Sequence, residues 1–250
     1  IQVLKDAIAT RRSMLVAFSG GVDSTLLAVL ALDILGNNTS CVLLDSPVVP
    51  RAEVKKAIHL ASELGLDLDI IPVPLMDQYD FRKNPVNRCY ICKKIAAAYL
   101  KKQAQERGHA SIADGINISD MAEHRPGLEA STEEGILHPF IESGITKHDI
   151  RELSRERGLS VWQKPSEACL SSRIPYGEEI TVKKLRMIEE AEAFLAKKGF
   201  GNMRVRMHGT TARIEVHKEE MGKILDMQAA VTEKLKSLGF SYITLDLEGY

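Results

Sequence analysis

The chain has little of what marks a membrane-bound, secreted or nucleic-acid-binding protein. No apolar run approaches the ~20 residues that span a bilayer, because Asp, Gly or Pro interrupts each one. No secretory leader is read at the start. Four cysteines in 250 residues are too few for a disulfide scaffold. They suit a reducing, cytoplasmic setting, where a C-x-x-C pair is a metal or redox motif. Lys and Arg number 33 against 34 Asp and Glu, a net charge of −1, so bulk charge favours neither a nucleic-acid nor a membrane partner. The chain has no internal repeat and no low-complexity tract. It also lacks both common phosphate-binding signatures, G-x-x-x-x-G-K-[ST] and G-x-G-x-x-G.

What is present is alternation. Residues 2–12 read as a helix ending in Arg11 and Arg12, cations suited to a helix C-terminus. "MLVAFS" reads as a buried strand, and residues 24–35 as a helix stopped by Gly36. "SCVLLDS", "DLDIIPVP" and "HASIADG" read as further strands. Helices over "RAEVKKAIHLASELG", residues 92–107 and Thr146 to Gly158 fall between or after them. This order predicts an α/β fold with a parallel sheet covered by helices. After about residue 175 the pattern becomes one amphipathic helix, a hairpin of "MRVRMH" and "ARIEVH" turned at "GTT", a helix over 219–238 and a last strand, "SYITLDL". That is a smaller α+β domain in the order αββαβ. The predicted division is 1–165, a linking loop at 166–180, and 181–250.

The most specific stretch is "FSGGVDS", Phe18 to Ser24, between the first strand and the next helix. A helix start presents free backbone N–H groups to an anion, and glycines let the backbone approach it closely. In an open parallel sheet, ligands bind at the carboxyl ends of strands. There "LLDS" places Asp45 and Ser46, and "ADGIN" places Asp114, Gly115 and Asn117. These could frame an adenine and a ribose, although the same residue types also simply end strands.

Cys41 sits among apolar neighbours in a strand and reads as a small core residue. Cys89 and Cys92 open a helix in "NRCYICKK", where the helix N-terminus, Arg88, Lys93 and Lys94 favour thiolates. Cys169 lies in the linking loop "KPSEACLSSRIPYG". Three thiolates suit a structural zinc with a histidine, or an Fe–S cluster with one iron left open. Arg204 and Arg206 share one strand face and form a phosphate clamp or a solvated face with cross-strand Arg–Glu pairs.

Ser19, Gly20, Gly21, Asp23 and Ser24 reproduce the SGGxDS PP-loop of ATP pyrophosphatases, which split ATP between its α and β phosphates and transfer AMP to an acceptor oxygen. With "DGIN…D…HRPG", "NPVNRCYICK", "W-x-KPSEACLSSRIPYG" and "RVRMHGTTARIEV", the chain resembles the LarE family over nearly its whole length. Those enzymes are sulfur transferases of nickel-pincer nucleotide cofactor synthesis.

The resemblance implies an adenine nucleotide alpha hydrolase-like first domain that binds ATP and Mg²⁺. Ser19, Gly20, Gly21, Asp23, Ser24, Asp45, Ser46, Gly115, Asn117 and Arg173 would surround ATP, and Asp23 would hold Mg²⁺. The implied substrate is a pyridinium biscarboxylic acid mononucleotide, its phosphate on Arg204 and Arg206. Some members of the family use one cysteine as a sacrificial sulfur donor, a position matched by Cys169. Others hold a [4Fe–4S] cluster on three cysteines, matched by Cys89, Cys92 and Cys169, and this second pattern is the fuller match. A sulfide source, neighbouring enzymes of the cofactor's synthesis and a homo-oligomer are implied as partners. The rival readings are a tRNA-thiolating PP-loop enzyme, an amidating ligase, and a nucleotide-binding Fe–S or zinc sensor without turnover.

Overall fold

The computed structural model describes residues 1–122 and 126–250. It separates into two compact units, residues 1–75 with 87–167, and residues 76–86 with 168–250. In chain order the first half holds α1 (Gln2–Ala9), β1 (Met14–Ala17), α2 (Val22–Leu35), β2 (Thr39–Asp45), α3 (Arg51–Glu63), β3 (Leu68–Pro72), α4 (Tyr79–Arg82), α5 (Arg88–Arg107) and β4 (Ser111–Ala113). Then follow α6 (Pro126–Glu133), α7 (Pro139–Glu142), α8 (Lys147–Glu156), α9 (Val182–Lys197), β5 (Met203–His208), β6 (Thr211–Val216), α10 (Met221–Asp226), α11 (Gln228–Leu238) and β7 (Tyr242–Leu245).

The first unit's sheet is parallel throughout, in the order β3-β2-β1-β4. Its strands alternate between two apolar layers, as a sheet covered on both faces requires. Met14, Val16, Cys41 and Leu43 face a core with Leu26, Leu27 and Leu30 of α2. Leu15 and Val42 face the opposite layer with Ala97 and Leu100 of α5. Cys41 is thus a packing residue, and burial pushes its thiol up to about 12. From β1 the chain winds outward through β2 and β3, then returns to the other side of β1 as β4. The order reverses between β1 and β4, so the crevice for a ligand opens beyond their carboxyl ends.

Several boundaries differ from the sequence expectation. Helix α1 ends at Ala9, and Arg11 lies beyond it, paired with Glu142 at 3.4 Å. Helix α2 starts at Val22, because extended Gly21 already acts as its N-cap. The helix expected over 219–238 is two helices, α10 and α11, meeting at Met227.

In the second unit β5 and β6 form the expected hairpin and β7 adds parallel to β6. Met203, Val205, Met207, Ile214 and Val216 are buried on it, as are Leu185, Ile188 and Leu195 of α9. Residues 76–86 join this unit through Asn84, which is fully buried at a left-handed φ of 56°. Its side-chain amide donates to the carbonyls of Ile174 and Pro175 at 3.2 and 2.7 Å. Gly177 and Ile180 N–H groups return bonds to the carbonyls of Asn84 and Arg82.

No helix among the described residues is long and apolar enough to cross a membrane.

Candidate functional site

In the first unit the loop after β1 is braced internally. The Ser24 hydroxyl accepts from Ser19 N–H at 3.1 Å and donates to the Gly21 carbonyl at 3.2 Å. Gly20 has φ +69°, and a Cβ there would lie 2.7 Å from the Ala57 Cβ of α3. Only glycine lets the loop turn and pack against α3 at once. Gly115, after β4, has a different reason: its Cβ would meet Ser24 N at 2.8 Å and Asp23 C at 2.9 Å. The end of β4 thus lies directly against the start of α2, across the switch point.

A cavity of about 530 Å³ opens there, lined by Ser19, Asp23, Ser24 and Gly115 among others. Leu43, Leu44, Val49 and Val54 give it an apolar wall suited to a flat base. Its acidic side is ordered by Asn117, whose amide donates to Asp120 at 2.8 Å and to Asp23 at 3.4 Å. Lys147 contacts both Asp23 oxygens, at 2.7 and 2.5 Å. Asp23 and Asp120 offer the hard oxygen donors that Mg²⁺ takes.

Asp114 sits deeper, with His138 on one oxygen at 2.7 Å and Lys93 3.7 Å from the other. Burial pushes its carboxyl up, but His138, Lys93 and the Ile116 N–H outweigh that and hold it below the usual carboxylate range. Lys93, which follows Cys92 in the chain, lines the cavity.

In the second unit Cys169 precedes a short 3-10 turn, Leu170–Arg173. Arg173 is buried and donates to both Glu192 oxygens at 3.0 and 3.2 Å, and to the carbonyls of Ala168 and Cys169 at 2.7 and 3.1 Å. Arg206 donates to the Ser172 carbonyl at 3.0 Å and pairs with Glu215 at 2.5 Å. Glu192 also accepts from the Val205 N–H at 3.0 Å. The cysteine-bearing turn is therefore tied to β5, and one unit brings Cys169 and the arginine face together. Arg204 stacks over the Tyr250 ring at 5.0 Å and donates to the Met203 carbonyl at 2.8 Å, with Glu215 opposite it on β6.

The family profile for NAD synthase matches residues 2–113, the stretch that carries β1, its loop and β4. An uncharacterized protein of Synechocystis sp. is 39% identical over 94% of this chain and 89% of its own length. The pyridinium-3,5-bisthiocarboxylic acid mononucleotide synthase of Lactiplantibacillus plantarum is 36% identical over 98% of this chain and 89% of its own. This chain belongs to the LarE family. A third relative, an uncharacterized protein of Methanocaldococcus jannaschii, is 33% identical over 96% of the chain and 91% of its own.

Against that family the residues expected from the sequence fall into three groups. Ser19, Asp23, Ser24 and Gly115 line the cavity of this LarE-family chain, with Gly21 as the helix cap beside them. Gly20 and Asn117 act one step back, by packing and by bridging two carboxylates. Asp45, Ser46 and Arg173 are engaged elsewhere. Arg51 takes Asp45 at 2.5 Å and the Ser46 carbonyl at 2.6 Å, and neither residue lines the cavity. Arg173, expected on ATP, is a buried brace of the Cys169 turn.

Cys89 and Cys92 belong to the first unit and Cys169 to the second. Among the described residues no group of three or more His, Cys, Asp or Glu side chains is arranged to hold a metal ion. His124 and Arg125 of the "HRPG" motif lie outside the described residues.

Lys147, Asp120, Glu192 and Arg51 were missed. Two carried a signal: Asp120 is the middle Asp of the "DGIN…D…HRPG" motif, and Lys147 opens a helix. "TKHD" is a capping box that opens α8, and a lysine at the positive end of a helix dipole is unfavourable unless an anion faces it.

Proposed function

We propose that this chain is an ATP-dependent, AMP- and pyrophosphate-forming sulfur transferase that converts carboxylates of a pyridinium biscarboxylic acid mononucleotide to thiocarboxylates. One observation carries the reading: a PP-loop opens into a cavity at the sheet's switch point, with Asp23, Asp120 and Lys147 around it. A carboxylate is a poor electrophile, and adenylation gives it a leaving group. The substrate oxygen attacks the α-phosphorus of ATP and pyrophosphate departs. A sulfur nucleophile then attacks the acyl carbon, and AMP leaves with the C–O bond's electrons.

The loop's N–H groups hold the phosphates. Asp23, with Asp120, would hold Mg²⁺, which screens the departing pyrophosphate. Lys147, which pairs with Asp23, would lend its charge to the phosphates. In the second unit Arg204, and Arg206 beside the Cys169 turn, take the substrate phosphate.

Cys89 and Cys92, three apart on α5 and so on one face, would supply thiolates together with Cys169. Three cysteines are the donor set of a [4Fe–4S] cluster, which would present sulfide on the iron they leave open. Arg173 fixes the backbone on either side of Cys169, so its sulfur is positioned whether it ligates iron or gives up sulfur itself. The test is iron and acid-labile sulfide on anaerobically purified protein. About four irons per chain, lost in Cys92→Ala, is the expected result. No iron after anaerobic reconstitution would reject the cluster and leave Cys169 as the donor.

A further inference from the structure

Lys164 lies in the tail that follows α8, in a stretch that the chemistry above does not use. Its side chain is 19% exposed. The ammonium donates to the Gly20 carbonyl at 3.1 Å and pairs with Glu53 of α3 at 2.7 Å. Glu53 also holds Lys56 at 2.7 Å and lines the cavity. The tail is itself fixed: Arg151 of α8 donates to the carbonyls of Trp162 and Lys164 at 3.3 and 3.2 Å.

The Gly20 carbonyl and the Gly21 N–H belong to one planar peptide and point in opposite directions. Holding the oxygen therefore fixes the N–H on the opposite side, where it meets the hydroxyl of the cavity-lining Ser19 at 3.4 Å. Gly-Gly is the sequence in which that peptide rotates most freely, since neither side chain resists it. A rotated peptide would turn a carbonyl oxygen, instead of a donor, towards an anion.

We infer that Lys164 is a positioning residue for the nucleotide loop: it locks the Gly20–Gly21 peptide with its N–H aimed at the phosphates. The inference rests on the reading of loop 19–24 as an ATP site. It predicts a defect confined to ligands that carry phosphate. Losing one charge-assisted hydrogen bond should weaken MgATP binding by about tenfold or more.

Calorimetric titration of the full chain with MgATP and, separately, adenosine tests this on wild type, Lys164→Met, Lys164→Arg, Glu53→Gln and the double variant Lys164→Met/Glu53→Gln. The expected result is about tenfold weaker MgATP binding in Lys164→Met, unchanged adenosine binding, and recovery of most of the loss in Lys164→Arg. The double variant should be no worse than the worse single one, because both residues act through one bracket. MgATP affinity at the wild-type value in Lys164→Met, an equal loss for adenosine, or additive losses in the double variant would each overturn the inference. Should Lys164→Met not fold, Glu53→Gln alone decides, and wild-type MgATP affinity in it overturns the inference. A wild type that binds adenosine but not MgATP overturns the nucleotide reading, and this inference with it.

Discussion

Gly115→Ala is a sharp structural perturbation of the site, because the added methyl meets backbone. Its Cβ would sit 2.8 Å from Ser24 N, 2.9 Å from Asp23 C and 3.0 Å from Asp23 Cβ. Ordinary contact begins near 3.4 Å, so the β4 end and the start of α2 must separate by about half an ångström. No side chain can swing aside to relieve this. Overpacking of that kind costs about 1–3 kcal/mol, or roughly 2–4 °C of Tm per kcal/mol in a chain this long. The displaced groups are Asp23 and Ser24, which on the proposed reading flank the phosphates, so the functional loss should exceed the stability loss. A shift of that order at reacting groups costs roughly 10- to 100-fold in rate. The assay is pyrophosphate release with a parallel melt, set against Gly201→Ala, where nothing lies within 4 Å of the new methyl. Gly115→Ala with wild-type kinetics and Tm would refute the claim that these two backbones are held in contact.

Four further outcomes are expected. Arg173→Met leaves the 13%-exposed Glu192 side chain without its cation and frees the backbone around Cys169; denaturant unfolding should show a loss of about 3 kcal/mol, much of it recovered in Arg173→Met/Glu192→Met. Lys147→Met removes the ammonium that both Asp23 oxygens hold; pyrophosphate release should fall at least tenfold, by about 1.4 kcal/mol of barrier, and unchanged turnover would count against Lys147 in the site. Asp114 is held below its ordinary 3.8 in the folded chain. Its contribution is therefore present above about pH 4 and is lost as pH falls through the lower folded value; Tm measured from pH 7 to pH 3 should fall less steeply in Asp114→Asn, and superimposable profiles would contradict the assignment. Native iodoacetamide labelling near pH 8 should spare Cys41, whose buried thiol stays protonated, and modify it only after unfolding; peptide mapping that finds Cys41 alkylated in the native chain would contradict its place in the core.

The first unit was legible because its signals are local. A strand, two glycines, an aspartate and a serine opening a helix carry their own geometry, and strand–helix alternation implies the parallel sheet. What stayed hidden depends on residues far apart in sequence. Asp23 meets Lys147 across more than a hundred residues, and neither segment announces the other. Arg51 engages Asp45 and Ser46 from the start of α3, an arrangement that period and composition do not encode. Arg173 looked like a phosphate ligand because it is a cation in a functional loop, whereas its carboxylate partner is nineteen residues away on α9. Residues 76–86 group with the second unit through Asn84, and an Asn-Pro pair in sequence signals only a turn.

The central claim is sulfur transfer to an adenylated carboxylate. The most direct measurement is mass spectrometry of the pyridinium biscarboxylic acid mononucleotide after incubation with the anaerobically prepared protein, MgATP and sulfide. Replacement of carboxylate oxygen by sulfur is expected, with one AMP and one pyrophosphate formed per sulfur, all lost when ATP is omitted. ATP cleavage without any sulfur in the product, or sulfur incorporation that needs no ATP, would contradict it.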